Sequence, residues 1–339
     1  MRLLYLLATT TGWGGLEKHV FEVAGEMAAR GFDVFVLCSN EYLEKCPAKV
    51  QLVPFDWSAS RNNPMLWQRL RRELNRINAD IIHAQADKPV HVLAKAGWPG
   101  NAVTLGTVHY VKSSYGIYSR LDAVIAVNRA LAREIPNRNV FVVYNGVHLP
   151  QLNDAKLAEL RLWRQGKPSP VVLAIGRLVP AKGFDILLNA WPESSEATLV
   201  ILGEGEQRDV LERIVATRRL KNIYLPGMSS NVAEWISAAD ILMISSRNEG
   251  GPYVLSEALI LGLPVVSTDV GMVSDFLPAS CVVAPCEVGP MRDLLNRVLS
   301  DNAYFRKECE KAFLQANEKL TSQAMMDAME AVYRKVGVR

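Results

Sequence analysis

Two carboxylates, Glu249 and Glu257, stand on either side of a Gly-Gly-Pro segment that follows a short apolar run. The glycines expose backbone amides, and a proline is typical of a helix start, so Glu257 is expected about one turn into a helix. Amides at a helix start bind phosphate, and carboxylates accept hydrogen bonds from sugar hydroxyls. The segment therefore has the groups that a nucleotide-sugar pocket needs. The alternative is that Glu257 only complements the helix dipole.

A pair of cations lies in Gly176-Arg-Leu-Val-Pro-Ala-Lys-Gly183, between a predicted strand and a predicted helix. Arg177 and Lys182 are five residues apart on a loop that opens onto a helix start. A guanidinium, an ammonium and backbone N–H groups can therefore converge on a diphosphate. The residue order is not that of a Walker loop. A solvated Arg/Lys pair would explain this segment equally well.

A glycine-rich loop, Thr10-Thr-Gly-Trp-Gly-Gly15, follows the first apolar run and precedes the amphipathic segment Glu17–Arg30. Its glycines permit close approach of a phosphate. The third glycine of the dinucleotide fingerprint is missing, and the second strand ends in Cys38-Ser-Asn40 without a ribose-binding acid. NAD binding is therefore disfavoured. A tight strand-to-helix turn is the alternative explanation.

The elements that must position these groups alternate between β-branched runs and helical patterns, which indicates parallel βαβ units. The predicted strands are Leu3–Leu7, Val34–Cys38, Ile81–Ala84, Ala102–Val108, Ala123–Val127, Val140–Tyr144, Val171–Ile175, Thr198–Leu202, Ile223–Leu225, Ile241–Ile244, Pro264–Ser267 and Cys281–Val283. A linker with a helix near Asp154–Arg164 separates the two series. The pattern predicts two doubly wound, Rossmann-like α/β domains facing across a cleft, at 1–150 and 151–322. A C-terminal helix at 323–339 is expected to cross back to the N-terminal domain.

Length and composition are those of a globular protein of two domains, with 339 residues, 49% hydrophobic and 22% charged. The net charge is +3, and residues 1–150 contain 17 basic and 12 acidic residues, which suits an anionic partner. Five scattered cysteines without a CxxC pair favour reduced cytoplasmic thiols over disulfides or zinc. The apolar start is too short for a signal peptide, and no run is long enough to span a bilayer. No basic stripe or known module indicates nucleic-acid binding.

Taken together, the motifs resemble the GT-B-fold retaining glycosyltransferases of family 4, which carry a Glu-x7-Glu signature. The resemblance runs nearly end to end, and it implies that the domain at 1–150 binds the acceptor and the domain at 151–322 binds the nucleotide-sugar. In the family's order, the motifs are Gly14-Gly15-Leu-Glu17, His109 after a strand, Asn145-Gly146-Val147, Gly176-Arg177 with Lys182-Gly183, Gly203-Glu-Gly205, Glu249-x7-Glu257 and Gly262-x-Pro264-Val-Val. Gly271-Met-Val-Ser-Asp275 departs from the usual Gly-Gly and acid, so contacts of that loop are not carried over.

The resemblance implies roles for single residues. Arg177 and Lys182 would hold the donor diphosphate, Glu257 would bind the ribose, and Glu249 would contact the donor sugar. The implied catalytic set is Glu249, Lys182, Arg177 and His109. The implied donor-binding set is Gly14, Gly15, Arg177, Lys182, Gly203, Glu249, Gly250, Gly251, Tyr253, Val254, Leu255 and Glu257.

His109 would lie beside the donor sugar, with an ordinary loop histidine as the alternative. His83 and His91 match no motif and are predicted to be structural.

The implied reaction transfers a hexose with retention from a nucleotide-sugar to a hydroxyl of a glycan or lipid-linked acceptor. A UDP-sugar is the first expectation for the donor and GDP-mannose the second, and bacterial surface polysaccharide or lipopolysaccharide synthesis is the expected setting. The two cations replace a divalent ion, so neither a metal nor a cofactor is expected beside the nucleotide-sugar co-substrate. The alternatives are a nucleotide-sugar epimerase, a sugar phosphorylase, or a non-catalytic nucleotide-sugar-binding subunit on the same fold.

The segment Pro64–Ile77 predicts a basic amphipathic helix with two tryptophans, Trp57 and Trp67, close in sequence. Its apolar positions are Leu66, Leu70, Leu74 and Ile77, and its arginines are Arg69, Arg71, Arg72 and Arg76. Such a helix suits an anionic membrane, so we expect a cytoplasmic protein peripheral at the inner face of the cytoplasmic membrane. The alternative is an ordinary domain helix whose stripe faces the core.

Overall fold

The computed structural model describes residues 1–9, 12, 14–97, 100–148 and 151–337. The chain divides into two compact units. The N-terminal unit comprises Met1–Val143 and the chain from Met325 onward, and the C-terminal unit comprises Tyr144–Ala324. Each unit has a parallel sheet with helices, so the predicted two-domain α/β fold class is confirmed.

Seven strands form the sheet of the N-terminal unit: β1 (Arg2–Leu7), β2 (Asp33–Cys38), β3 (Val50–Pro54), β4 (Ile81–Gln85), β5 (Val103–Val108), β6 (Ala123–Ala126) and β7 (Val140–Val142). Their order is β3-β2-β1-β4-β5-β6-β7, and every pairing is parallel. Alternate residues of β1 enter two separate cores, with Leu3 and Tyr5 in one and Leu4 and Leu6 in the other. This sheet is therefore buried on both faces, which is why its strands are continuous apolar runs.

The N-terminal unit contains the helices α1 (Gly15–Ala29), α2 (Pro64–Ile77), α3 (Asp87–Ala96) and α4 (Arg129–Glu134), and two short 3-10 segments at Asn40–Lys45 and Gly116–Arg120. The bounds of α2 are those predicted, because Asn63 caps its start by accepting from the Met65 amide at 2.9 Å and Pro64 occupies the first position.

The sheet of the C-terminal unit has six parallel strands: β8 (Val171–Ile175), β9 (Thr198–Leu202), β10 (Ile223–Gly227), β11 (Ile241–Ile244), β12 (Val265–Thr268) and β13 (Val282–Val283). Their order is β10-β9-β8-β11-β12-β13. The helices are α5 (Asp154–Gln165), α6 (Phe184–Ala190), α7 (Arg208–Thr217), α8 (Val232–Ala238), α9 (Tyr253–Ile260), α10 (Val273–Phe276), α11 (Val288–Ser300), α12 (Asn302–Glu308) and α13 (Glu310–Lys319). The order reverses direction between β8 and β11, so the loops after these two strands open outward from one point of the sheet.

The C-terminal helix α14 (Ser322–Gly337) packs on the N-terminal unit from Met325 onward, which confirms the predicted return. Met325, Met329 and Val332 are buried in the core of that unit. The hydroxyl of Tyr333, which is fully buried, lies 2.8 Å from the hydroxyl of Tyr5 in β1. The helix is therefore an internal part of the N-terminal unit.

The apolar stripe of α2 faces the core of its own unit, because Leu66, Leu70, Leu74 and Ile77 are all buried there. Trp57 is 1% exposed, and the indole of Trp67 donates to the backbone oxygen of Arg61 at 2.9 Å. Trp57 is therefore a core residue, and Trp67 is half-buried. The arginine face of α2 remains on the surface, as does Met65 in its first turn, which is 71% exposed.

Two details differ from the sequence expectations. The edge strand β3 was not predicted, because only Val50 and Val53 of it are buried, it ends at Pro54, and it has no continuous apolar run. The change of unit falls at Val143/Tyr144. Tyr144 packs on the ring of Phe276 at 4.9 Å, and the Val147 amide donates to the Leu320 oxygen at 2.9 Å, which ties this stretch to the C-terminal unit.

All five cysteines are free. Of the helices in the described ranges, none combines the length and the apolar character that crossing a bilayer requires.

Candidate functional site

The predicted cations and the Glu249 carboxylate lie in two neighbouring loops of the C-terminal unit, and Glu257 lies in the helix α9 that follows the second loop. One loop, residues 176–183, follows β8, and the other, residues 245–252, follows β11. Because β8 and β11 are paired and parallel, both loops leave the same edge of the sheet. The topology thus brings Arg177, Lys182 and Glu249 to one place.

Lys182 and Glu249 form an ion pair in which the Lys182 Nζ donates to the Glu249 Oε1. The side chains are only 24% and 16% exposed, and the Ser246 hydroxyl donates to the same Oε1 at 3.0 Å. An ammonium has three donors, so Lys182 keeps donors for a further acceptor, and Glu249 keeps its Oε2. Lys182 can therefore donate to an anion while Glu249 accepts a hydrogen bond from a hydroxyl.

Gly183 allows the two loops to approach, because a Cβ there would lie 2.1 Å from the Ser245 backbone oxygen. The Ser245 hydroxyl donates to the Lys182 oxygen at 2.9 Å. Gly203, at the end of β9, has φ near +150°, and a Cβ there would lie 1.9 Å from the Gly176 oxygen. Both glycines are thus required by backbone packing around Lys182.

A bidentate ion pair braces the same two loops from the side. Arg247 donates to both carboxylate oxygens of Asp185, at 2.8 and 2.7 Å, and its amide donates to the Ala181 oxygen at 2.8 Å. The hydrogen bonds from Arg247 lower the pKa of Asp185, so the pair is charged at neutral pH. Asp185 and Arg247 were not predicted as site residues. The only feature of the sequence that could have indicated them is their closeness along the chain to Lys182 and Glu249.

The start of α9 has no side-chain cap, and Pro252 precedes its first turn. The amide dipoles of this turn therefore point toward the 245–252 loop. Leu255 is fully buried, so only its backbone can meet a ligand, whereas Tyr253 is 43% exposed. Val254 is half-buried.

Gly250 and Gly251 lie against two other segments of the C-terminal unit. A Cβ at Gly271, where φ is +58°, would come within 2.5 Å of the Gly250 oxygen, and a Cβ at Gly251 would lie 3.3 Å from the Asn145 amide nitrogen. The divergent 271–275 loop therefore supports the 245–252 loop through backbone contact.

Glu257, in the second turn of α9, is half-buried, and its carboxylate makes no hydrogen bond or ion pair with the described residues. Burial raises the pKa of its carboxyl group. Such a group is costly unless something donates to it. Arg177 is exposed, and its guanidinium has no ion-pair partner among residues 1–9, 12, 14–97, 100–148 and 151–337. Within the described residues, this part of the C-terminal unit thus holds one carboxylate and one guanidinium without a protein partner, in addition to the Lys182–Glu249 pair.

In the N-terminal unit the predicted residues are Gly14, Gly15 and His109. Thr10, Thr11 and Trp13 of the glycine-rich motif lie outside the described residues. The Gly14 amide donates to the Glu17 carboxylate at 2.9 Å in a capping interaction, so it is not available to a phosphate. Gly15 begins α1 and has open space around its Cα.

His109 follows β5 and is half-buried. Its Nε2 lies 2.9 Å from the Gln85 side-chain oxygen, which can only accept, so the ring proton is on Nε2 and Nδ1 is an acceptor. Burial is the main cause that holds the pKa of His109 well below 6.5, and nearby His19 and His83 add to it. His109 is therefore neutral at pH 7.

A buried polar network continues from this point into the unit. The His83 ring nitrogens lie 2.8 Å from the Tyr333 hydroxyl and 2.7 Å from the Thr107 hydroxyl. Burial lowers the pKa of His83 to about 3 and that of His19 to about 4. His19 and Gln85 were not predicted, because a histidine within a helix and a glutamine within an apolar strand carry no motif.

No cluster of three or more His, Cys, Asp or Glu side chains that could hold a metal ion occurs in the described part of the chain.

Comparison with known proteins gives two family matches. Residues 161–334 match the family model "Glycosyl transferases group 1", and residues 13–151 match "Glycosyltransferase Family 4". Among solved structures, HepE of Anabaena in complex with UDP is similar over 99% of this chain and 100% of its own, with a TM-score of 0.81 and 19% identity. This similarity shows the fold.

Among curated proteins, the chain is 27% identical to the alpha-D-kanosaminyltransferase of Streptomyces kanamyceticus. The match covers 55% of this chain and 50% of the relative. The chain thus spans half the length of that relative. It is 22% identical to the lipopolysaccharide core biosynthesis mannosyltransferase LpsB of Rhizobium meliloti, over 83% of this chain and 79% of LpsB. Because the first family model covers residues 161–334, more than half of the chain, the protein belongs to the glycosyl transferases group 1 family.

Proposed function

We propose that this glycosyltransferase moves a hexose from a UDP-sugar to a hydroxyl of a glycan or lipid-linked acceptor, with retention and without a metal ion. The observation that carries the proposal is the charged edge of the C-terminal unit, where Lys182 is paired with Glu249 while the side chains of Arg177 and Glu257 have no partner among the described residues. Two cations fit a diphosphate, and two carboxylates fit hydroxyls.

The chemistry follows from where charge develops. Breaking the bond between the anomeric carbon and the phosphate leaves negative charge on the diphosphate and positive charge on the sugar. Arg177, Lys182 and the amides at the start of α9 stabilise the departing diphosphate, in place of a divalent ion. A phosphate oxygen of the leaving group takes the proton of the acceptor hydroxyl, so attack occurs on the same face and the configuration is retained.

Glu249 and Glu257 have different tasks in this scheme. Glu249 fixes the Lys182 ammonium through Oε1 and accepts a hydrogen bond from the donor sugar through Oε2. Glu257 accepts from the ribose hydroxyls, which supply the donors that its half-buried carboxylate lacks among the described residues. Gly203, Gly250, Gly251 and the backbone of 253–255 complete the donor site. In the N-terminal unit, Gly15 and the neutral His109, whose Nδ1 can accept a hydrogen bond, act on the substrates, whereas the Gly14 amide already donates to Glu17.

The choice of donor and pathway rests on relatives. HepE has been solved with UDP and with UDP-glucose, which supports a UDP-hexose. LpsB is named as a mannosyltransferase, which keeps GDP-mannose second. Its name also supports a setting in lipopolysaccharide or related bacterial surface polysaccharide synthesis.

We also propose a cytoplasmic location with peripheral attachment to an anionic membrane. The support is the exposed arginine face of α2. Two of its arginines are already paired with carboxylates, Arg76 with Glu73 at 2.7 Å and Arg69 with Asp56 at 3.4 Å, which reduces the positive charge of this face. Sedimentation with vesicles of anionic phospholipid tests this attachment. Equal sedimentation with neutral vesicles would contradict it.

The donor is tested by thermal shift and turnover with UDP-, GDP- and ADP-sugars. We expect one UDP-hexose to stabilise the protein most and its turnover to require an acceptor hydroxyl, with no change on adding EDTA. Turnover without acceptor would indicate an epimerase, and binding without turnover would indicate a non-catalytic subunit. Product with inverted configuration, or loss of activity with EDTA, would overturn the mechanism.

A further inference from the structure

The loop that follows β5, residues 109–115, has its charge inside and its apolar groups outside. The Lys112 side chain is 7% exposed, whereas its neighbours Tyr110 and Val111 are 50% and 51% exposed. Loops on protein surfaces usually show the reverse, because a buried ammonium is costly and an exposed ring gains nothing from water. This inverted arrangement requires a specific set of contacts.

Those contacts fix the Lys112 ammonium firmly. Its Nζ lies 2.8 Å from the Asp87 carboxylate, which also pairs with Arg61 at 2.8 Å. Burial acts to raise the pKa of Asp87, but Lys112 and Arg61 outweigh it and the pKa is lowered. The Lys112 amide donates to the Tyr115 hydroxyl at 3.0 Å. The loop is therefore held at both its backbone and its charged group.

The Tyr110 ring lies over this buried ammonium, with the Lys112 Nζ 4.5 Å from the ring centroid. A cation at this distance is attracted to the face of the ring and restrains its orientation. Half of the residue nevertheless remains exposed. Tyr110 is thus an aromatic surface that is already oriented, and little conformational entropy is lost when a ligand packs on it.

The position of the ring indicates what packs there. Tyr110 adjoins His109 and follows the carboxyl end of β5, and ligands of open parallel sheets bind beyond that end. The C–H groups on the faces of a pyranose ring carry partial positive charge, and they pack favourably on the negative face of an aromatic ring. A flat, fixed tyrosine therefore fits a sugar ring better than an open-chain polyol.

We infer that Tyr110 is a stacking platform for a pyranose ring of the acceptor, and that it selects ring-containing acceptors. The inference rests on the proposed function, because that function requires an acceptor. We place this acceptor at the edge of the N-terminal unit where Tyr110 lies. Lys112 and Asp87 are positioning residues in this scheme, because they act only through the orientation of Tyr110.

Saturation-transfer NMR on the full chain tests this inference with methyl α-D-glucoside and methyl α-D-mannoside as ring probes and glycerol as the open-chain probe. We expect Tyr110→Ala to reduce saturation of the ring protons about three- to tenfold, because one aromatic contact is lost. Tyr110→Phe should retain the signal, since the ring face remains. Tyr304→Ala is the matched control, because Tyr304 is 40% exposed on α12 in the other unit.

The glycerol signal and the affinity for UDP, measured by calorimetry, should stay unchanged in all four proteins. The inference is overturned if wild-type protein saturates neither glycoside, if Tyr110→Ala leaves the ring signals intact, or if glycerol loses as much as the glycosides. Failure of the proposed function is separate: no binding of UDP would sink it, while the dependence of glycoside contact on Tyr110 could still be read.

Discussion

The two units place polar groups at corresponding edges of their sheets, but they treat charge differently. In the C-terminal unit the edge is ionic, with the Lys182–Glu249 and Arg247–Asp185 pairs and an exposed Arg177. In the N-terminal unit the buried histidines are neutral, because burial lowers the pKa of His19 and His83 to about 4 and about 3. The ammonium of Lys112 there is compensated by Asp87.

This difference shows that net charge is a poor guide to where an anion binds. Residues 1–150 carry the excess of basic residues, 17 against 12 acidic, yet much of that excess lies on the outer face of α2. The cations that fit a diphosphate are in the other half, where 21 basic residues face 23 acidic ones. Position at a strand end matters more than composition.

The largest expected effect comes from removing the charge at the ionic edge. Lys182→Ala should lower kcat/KM by about 10²–10³-fold, since one fixed donor to the leaving group is lost in a site of limited exposure. Steady-state kinetics with the donor identified in the panel provides the measurement.

Lys221→Ala serves as the control, because Lys221 is an exposed lysine of the same unit. Activity of Lys182→Ala within threefold of wild type would show that the ionic edge is not the donor site.

The second effect is the loss of stability that acidic pH causes in the buried histidine network of the N-terminal unit. The folded-state pKa values of His19 and His83 lie below the ordinary value. Their contribution to the stability of the folded state is therefore complete above pH 6.5, and it declines as the pH falls toward about 4. Each group should reduce the free energy of unfolding by about 1.4 kcal/mol per pH unit in that window. The N-terminal unit should therefore loosen before the C-terminal unit.

Hydrogen exchange at pH 7 and pH 5, corrected for the intrinsic rate, separates the two units. Peptides from β1 and β4 should lose protection at pH 5 while those from β8 and β9 keep it. Equal loss in both units would remove the contrast between them.

The smallest expected effect belongs to the brace between the loops of the C-terminal unit. Arg247→Ala should lower kcat about tenfold, as misplacement of Lys182 relative to Glu249 weakens the transition-state contacts more than ground-state binding. Arg247→Lys should restore part of the rate, since a lysine can form only one of the two bonds to Asp185.

Removing the exposed pair Arg208–Glu204 by Arg208→Ala is the comparison, because it is also an ion pair of this unit. Loss of stability without a change in kcat in the Arg247 variants would make the brace purely structural.

Much of the fold could be predicted from the sequence, because parallel strands buried on both faces are continuous apolar runs. The bounds of β8, β9, β11 and α2 were predicted as observed. The edge strand β3 was missed because an edge has little apolar periodicity.

The candidate site could be predicted only where charge and glycine spacing form a motif, as for Lys182 and Glu249. The contacts of Gln85, Tyr333 and Arg247 could not be predicted from the sequence. Their partners are distant along the chain and come close only in the folded topology. Tyr333, for example, meets His83 across 250 positions.

That distance has a consequence for synthesis of the chain on the ribosome. The core of the N-terminal unit includes Met325, Met329 and Tyr333, so it stays incomplete until these residues emerge. At ordinary elongation rates the delay after Val143 is about 10–40 s. During that interval the apolar face that α14 covers is open to chaperones, and nascent chains stalled before Met325 should be readily cut by protease.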